Sequence, residues 1–375
     1  MNTTRTMKIL FFIPSLLSGG AERVLAIIAN ELAIRGHNVT LAYNFSYPVQ
    51  YELNPQIHLV DLMRGKSKDK MSNHFLKTIC LMRNIRRITK GVNPEVVITF
   101  MVGMNRYVIP SLRFTKYPVI ASEHTTVNEE VFPTTFFNHF TRWHINKWAT
   151  CVTVLTPYDK EYLACRLRNV VVMPNPLSFE PIDASDFARI DSQRKNILAC
   201  GRIDRYKVKG LDQLILNFVD FAHQHPDCDL DILGDGDHVS RDYLQSLINK
   251  QHLEGRVHLI GYSSDVKSIM LQHKYFVLSS KTEGFSMVLL EAMACGCACI
   301  CFDCISGPRS IIHHGMDGLL VKDQDFSELM YAMGRVVSDD TERKYLANNA
   351  IRSVLKYSVS NIAEQWEKLI REVVS

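Results

Sequence analysis

Tyr275–Cys301 reads YFVLSSKTEGFSMVLLEAMACGCACIC. Tyr275–Ser280 is a short apolar run, long enough for a buried strand. Lys281–Ser286 is polar and carries Gly284, so it reads as a loop. Met287–Ala294 is rich in helix formers, and Gly296 stands where a C′ glycine belongs. Cys297–Phe302 is again strand-like. A strand, a tight glycine loop and a helix whose first turn faces that loop make an anion site. Free backbone N–H groups and the positive end of the helix dipole converge there.

Glu283 and Glu291 flank this loop, one inside it and one within the helix. The N–H groups of Gly284, Phe285 and Ser286 suit phosphate oxygens. The carboxylates suit hydroxyls, which they accept as hydrogen bonds. A ligand with a central diphosphate and hydroxyl-rich rings at both ends fits, and a nucleotide sugar is such a ligand. Taken alone, the same spacing also suits an ordinary strand–loop–helix with two solvated glutamates.

Glu283-Gly284-Phe285 followed by Glu291 resembles the E-x7-E element of retaining glycosyltransferases of family 4, which have the GT-B fold. Further matches follow in that family's order over nearly the whole chain. They are Gly19-Gly20-Ala21-Glu22, Gly201-Arg202 with Lys209-Gly210, Gly234-Asp235-Gly236, Ser306-Gly307-Pro308, and Gly315-x-x-Gly318-Leu319-Leu320-Val321. The resemblance implies an α/β protein of two Rossmann-like, doubly wound domains facing a central cleft.

The bulk properties agree. At 375 residues and 46% apolar content, two globular domains are expected. Residues 1–180 carry 21 Lys+Arg against 12 Asp+Glu, and the remainder 22 against 27. A basic front half suggests an anionic partner. Ten cysteines show no disulfide spacing. Cys295, Cys297, Cys299, Cys301 and Cys304 crowd one segment and read as small core fillers rather than a metal cluster. Unpaired thiols in such number suit a reducing cytosol. Lys8 and Ile9–Leu17 read as a first strand, not a leader, because Pro14 and Gly19-Gly20 interrupt the run. No stretch approaches the roughly 18 apolar residues of a membrane helix.

Along the chain, Met7–Pro14, Val39–Asn44, Pro94–Phe100, Val119–Ser122 and Val170–Met173 are expected strands, with a helix over Ala21–Arg35. Pro174-Asn175-Pro176 is a stiff connector. Later strands are expected near Asn196–Cys200, Asp229–Leu233, Val257–Ile260, Tyr275–Leu278, Ala298–Phe302 and Leu319–Val321. Helices are expected to start near Leu211, Ser240, Asp265, Met287 and Pro308. This alternation means parallel sheets. The expected divisions are 1–178 (acceptor-binding), 179–357 (donor-binding) and 358–375, a closing helix that crosses back toward the first domain by resemblance. Arg64–Lys90 holds nine basic residues and one acid, Asp69. It reads either as a helix for an anionic membrane surface or as a solvated helix on its own sheet. Phe132–Trp148 reads as acceptor side, lipid contact or core.

By resemblance, the catalytic set is His124, Arg202, Lys209 and Glu283. The donor set is Gly19, Gly20, Arg202, Lys209, Gly234, Gly261, Glu283, Gly284, Phe285, Ser286 and Glu291. Arg202 and Lys209 would neutralise the diphosphate leaving group, with Lys207 as the competing cation in a lengthened loop. Glu291 would hold ribose hydroxyls and Glu283 those of the sugar. His124 stands just past a strand end, where a side chain meets the ligand crevice. The family implies retention, and a front-face route is expected because no nucleophile can be named. Ser310 departs from the family, which has an acid there.

Two D-x-D runs, Asp235-Gly236-Asp237 and Asp229-Leu230-Asp231, read as turn and strand start, so no metal and no cofactor is expected beyond the substrate, a UDP-sugar. The expected partners are that donor, a lipid-linked or oligosaccharide acceptor, and an anionic membrane reached through Arg64–Lys90. No nucleic acid is expected. The place is cytoplasmic, peripheral on the inner face of the plasma membrane, in polysaccharide or lipopolysaccharide assembly. The rival readings are a nucleotide-sugar epimerase or phosphorylase of the same fold, and a catalytically silent partner-binding protein.

Overall fold

The structure is a computed structural model that describes residues 5–17, 19–63, 74–129 and 134–375. The chain divides into two compact units, 1–178 with 357–375, and 179–356. Residues 64–73 of the basic segment lie outside the described residues. Its remainder forms the helix His74–Val92.

The first unit is built on a seven-stranded sheet. Its strands are β1 (Lys8–Phe12), β2 (Asn38–Tyr43), β3 (His58–Asp61), β4 (Val96–Phe100), β5 (Val119–Ser122), β6 (Cys151–Val154) and β7 (Val170–Val172). They lie in the order β3-β2-β1-β4-β5-β6-β7. Every ladder is parallel. Runs such as Ile9–Phe12 and Val96–Phe100 are buried on both faces, as strands between two helical layers must be.

The second unit repeats the plan with β8 (Lys195–Cys200), β9 (Leu230–Leu233), β10 (Val257–Gly261), β11 (His273–Leu278), β12 (Ala298–Phe302) and β13 (Leu319–Val321). Their order is β10-β9-β8-β11-β12-β13, again all parallel. The strand order reverses between β8 and β11, and in such sheets the ligand crevice opens beyond the carboxyl ends at that point.

The Met287–Ala294 helix ends as its sequence requires. Gly296 takes φ +71°, its N–H donates to Met293 O at 3.0 Å, and Cys297 N–H donates to Ala292 O at 3.0 Å. That is a Schellman motif, which only a residue tolerant of left-handed φ completes cheaply. The five clustered cysteines are buried and unbridged in and around β12. Burial pushes Cys297 up to about 11 and Cys304 up to about 12, so these thiols stay protonated and inert.

The last helix, Val359–Val374, packs on the first, Gly20–Ile34, within the first unit. Trp366 is buried and stacks toward Phe100, with ring centroids 6.3 Å apart. Glu367 faces His37 Nε2 at 2.8 Å, while His37 Nδ1 accepts from Met7 N–H at 3.1 Å. The imidazole thereby ties the closing helix to the first strand.

Four of the elements depart from the sequence reading. Val102–Leu112 is helical although it contains Gly103 and Pro110. The strands β3 and β6 add to the first sheet. Phe136–Trp148, left open above, is a continuous helical stretch that passes through a π-helical turn at Thr141–Ile145 and ends in a 3-10 turn.

Candidate active site

The loops after β8 and β11 meet at the switch point of the second sheet. Lys209 closes a short helix, Tyr206–Lys209, and its Nζ donates to Glu283 Oε1 at 2.7 Å. Backbone bonds hold the two loops together. Lys281 N–H donates to Val208 O at 2.8 Å, and Ser279 Oγ donates to Lys209 O at 2.9 Å. Gly210 has φ +67°, and a Cβ there would fall 2.1 Å from Ser279 O. Gly234 lies so close to the β8 loop that a Cβ would fall 1.8 Å from Gly201 O. Gly234 N–H donates to Gly261 O at 2.8 Å, so the ends of β8, β9 and β10 are drawn together through glycine. Gly210 and Gly234 therefore act as close-approach points between loops.

Glu283 is also gripped from the β12 side. Its carbonyl accepts from Gly307 N–H at 3.2 Å, and it forms a one-residue parallel bridge with Ser306. Ser306 takes φ +85°, a costly conformation for a side-chain-bearing residue. Ser310, at the position that departs from the family, donates to Ser306 O at 2.8 Å and so braces this turn.

Three hydroxyls of the same loop, on Ser280, Thr282 and Ser286, are buried and find no hydrogen-bond partner among the described residues. Each such group costs about 1–3 kcal/mol. All three lie in the loop that carries Glu283 of the lysine–glutamate pair. Phe285 is buried and packs the loop against the core. Ser286 is the N-cap of the Met287–Ala294 helix but does not cap it with its side chain.

Glu291 lies one helical turn inside and is 1% exposed. It is close enough to Cys200, at the end of β8, to join burial in pushing that thiol well up. Arg202 is placed differently from Lys209. It is exposed, and its Nε donates to Asp204 Oδ1 at 3.0 Å. Its guanidinium turns to Asp204 rather than to Glu283. Lys207 is exposed and lies over the Tyr206 ring at 5.9 Å, so Lys209 is the cation that reaches the Glu283 loop.

The D-x-D acids all have local work. Asp237 caps the His238–Lys250 helix through Ser240 N–H at 2.8 Å, which holds its carboxyl below the usual range. Asp229 pairs with Arg256 at 2.7 Å and Asp231 with His273 at 2.8 Å. Asp235 accepts from Gly236 N–H at 2.9 Å. No group of three or more potential ligands set to hold a metal occurs among the described residues.

The first unit contributes its own candidates. Gly19 is the N-cap of the Gly20–Ile34 helix, with Gly20 as its first residue, and Gly19 O accepts from Tyr51 Oη at 2.8 Å. His124 follows β5. Its Nε2 is 3.0 Å from Ser122 Oγ, which itself accepts from Thr153 Oγ1 at 2.8 Å. Ser122 therefore has its own proton to give Nε2, which leaves the ring proton on Nδ1. The ring stacks on Phe100 with centroids 4.3 Å apart. Desolvation pushes the imidazole down to about 3, against a smaller upward pull from Asn175. His124 is neutral at any physiological pH.

Two parallel-sheet units, each with a switch point in its strand order, define a two-domain α/β architecture of Rossmann-like units. Two family models match in tandem. "Glycosyltransferase Family 4" matches residues 18–180 and "Glycosyl transferases group 1" matches residues 183–353. The chain belongs to the family-4-type glycosyltransferases of GT-B fold. It is 28% identical to the N-acetylgalactosamine-N,N'-diacetylbacillosaminyl-diphospho-undecaprenol 4-alpha-N-acetylgalactosaminyltransferase of Campylobacter jejuni, over 92% of this chain and 93% of that one. The sucrose-phosphate synthase structure from Thermosynechococcus elongatus superposes with a TM-score of 0.81 at 20% identity, covering 98% and 99% of the two chains. Anabaena HepE, solved in complex with UDP, gives 0.78 at 18% identity over 98% and 100%. As a glycosyltransferase the chain is an enzyme, which sets aside the silent-partner reading and the epimerase or phosphorylase reading.

Proposed function

We propose that this enzyme moves a hexosyl or N-acetylhexosaminyl group from a UDP-sugar to a lipid-linked or polysaccharide glycan, with retention, at the cytoplasmic face of the plasma membrane. The observation that carries the donor site is the Lys209–Glu283 pair at the β8/β11 switch point, ringed by the unsatisfied hydroxyls of Ser280, Thr282 and Ser286. UDP is favoured because the HepE neighbour was solved with it. A lipid-linked glycan is favoured because the Campylobacter relative is named for an undecaprenol diphosphate substrate. No helix among the described residues is long and apolar enough to cross a membrane. A peripheral position, aided by the basic Arg64–Lys90 segment, accounts for work on such a substrate.

In this reading the diphosphate lies on Lys209, Arg202 and the N–H groups of Gly284, Phe285 and Ser286. These groups stabilise charge that grows as the glycosidic bond breaks. Glu283 leaves Lys209 to accept hydrogen bonds from the sugar hydroxyls, and Glu291 holds the ribose. His124, neutral with its proton on Nδ1, donates a hydrogen bond without adding charge. The leaving phosphate helps deprotonate the acceptor hydroxyl on the same face, which retains configuration. No metal takes part.

The test is thermal stabilisation by UDP, GDP, ADP and CMP, with and without magnesium. A ligand at 100 times its Kd adds about 2.7 kcal/mol. A selective, metal-independent shift with UDP is expected. Equal shifts with all four nucleotides, or none, would overturn the donor assignment.

A further inference from the structure

The first unit carries an aromatic ridge that its fold leaves uncovered. Phe136–Phe140 is a helical turn of sequence FFNHF with no buried residue. Phe136, Phe137 and Phe140 are 74%, 61% and 45% exposed. The ridge continues along one face through His144 to Trp148, which is 41% exposed. Phe136 and Phe140 stack at 6.5 Å, and Phe140 and His144 at 4.9 Å. At 1.5 Å per residue the ridge runs roughly 18 Å. Burying apolar side chains is the default, and several large exposed aromatics in a row mark a contact surface.

Cations edge this ridge at both ends. Arg106 lies over Phe137 at 5.2 Å and donates to Asn138 Oδ1 at 2.9 Å. Arg113 lies over Trp148 at 3.9 Å and over the exposed Phe114 at 5.0 Å. The helix Val102–Leu112 packs against both the His74–Val92 helix and the stretch to Trp148. Across residues 74–122 and 134–150 there are ten Lys+Arg and one acid, Glu95. Glu95 is already paired with Arg5 and accepts from Lys8 N–H. Glu129, which precedes the ridge in sequence, is already paired with Arg142 at 3.0 Å and with His139.

We infer that Phe136, Phe140 and Trp148 form a wedge that enters the headgroup region of an anionic bilayer, with Arg106 and Arg113 on the lipid phosphates. Aromatic rings with one apolar body, bordered by guanidinium groups, suit that interface, where rings sit at headgroup depth and cations stay wet. A protein partner would need matching acidity, whereas an anionic bilayer supplies it everywhere. The inference rests on the proposed work at a membrane and names the residues that enter it. It adds to the charge attraction of the Arg64–Lys90 segment an apolar insertion that salt does not screen.

The test is flotation of the full chain on vesicles of phosphatidylcholine alone or with phosphatidylglycerol, for the parent and for F136S/F140S. The parent should bind the anionic vesicles, and the double variant at least tenfold more weakly, with unchanged Tm and an unchanged UDP shift. Brominated lipid should quench parent emission through Trp148, and Trp148→Phe should abolish that quenching. Equal partition of parent and variant, equal binding to phosphatidylcholine alone, or no quenching would overturn the wedge. An intact UDP shift alongside such a failure leaves the transfer reading standing. Quenched, ridge-dependent binding without a UDP shift supports the wedge and sinks the donor assignment instead.

Discussion

Lys209 Nζ and Glu283 Oε1 lie 2.7 Å apart across 74 residues of chain. The two side chains proposed for opposite ends of the donor, phosphate and sugar, neutralise each other. Glu283→Gln should therefore separate binding from turnover. A hydrogen bond to a charged group is worth about 1.5–3 kcal/mol. Freed from its carboxylate, Lys209 should bind UDP as well as before or better, while sugar transfer falls by about 100-fold. Lys209→Ala should weaken UDP by roughly 10-fold or more. Calorimetric titration and turnover on the same preparations would check both. A parallel loss of UDP binding and transfer in the Gln variant would count against the division of labour.

Arg202 is 69% exposed and pairs with Asp204. Exposed pairs contribute about 0–1 kcal/mol to folding. Asp204→Asn should leave the melting temperature unchanged and strengthen UDP binding, because the guanidinium loses its competing anion. Arg202→Ala should also fold normally and lose transfer. Melting curves beside initial rates make the distinction.

Gly210 and Gly234 are where a methyl group has no room. Alanine at Gly234 would press on Gly201 O, and at Gly210 it would also meet a left-handed backbone. Each substitution should cost about 1–3 kcal/mol. For a unit of this size that is a fall of roughly 2–4 °C per kcal/mol in Tm. UDP should restore less of that stability than in the parent, since the glycines align the loops that bind it.

His124 is held down to about 3 by burial, well under the ordinary histidine range. The unfolded chain thus binds more protons than the folded one between about pH 6.5 and 3. Stability should fall as pH drops through that window and be insensitive to His124 above it. His124→Asn should flatten the slope of Tm against pH below 6.5. The rate profile from pH 6 to 8 should show no limb that disappears in this variant.

The thiols give a simple check on the packing. Cys165 is exposed and Cys80 half-buried, whereas Cys295, Cys297, Cys299, Cys301 and Cys304 are buried with raised pKa values. In the native protein a thiol reagent should modify Cys165 first and Cys80 more slowly. Rapid labelling of the 295–304 cluster would contradict the description of β12.

The strands around Tyr275–Cys301 were legible because both faces are buried and their apolar runs are unbroken. The strand β3 was not, since His58-Leu59-Val60-Asp61 sits at a sheet edge with polar ends. The Val102–Leu112 helix hid behind Gly103 and Pro110, residues that usually argue against one. Glycine spacing pointed to the donor loops, but not to their function as close contacts between strand ends. The Lys209–Glu283 and Arg202–Asp204 pairs depend on side-chain direction. No periodicity predicts that one cation turns to the neighbouring loop and the other to its own. The aromatic residues of Phe132–Trp148 were visible, while the face they present emerges only once Phe136–Trp148 coils.

The closing helix has a consequence for synthesis. The first unit takes its last buried side chains, Trp366 and Ile370 among them, from residues that follow the whole of the second unit. During translation the front sheet must therefore wait while nearly two hundred residues emerge. At about 5–20 residues per second that is a delay of roughly 10–40 s. Through that interval Phe100 and the surface of the Gly20–Ile34 helix remain open on the nascent chain. The second unit, contiguous in sequence, is free to finish first. A protein whose first-made half is completed last should lean on chaperones during synthesis more than its stability would suggest.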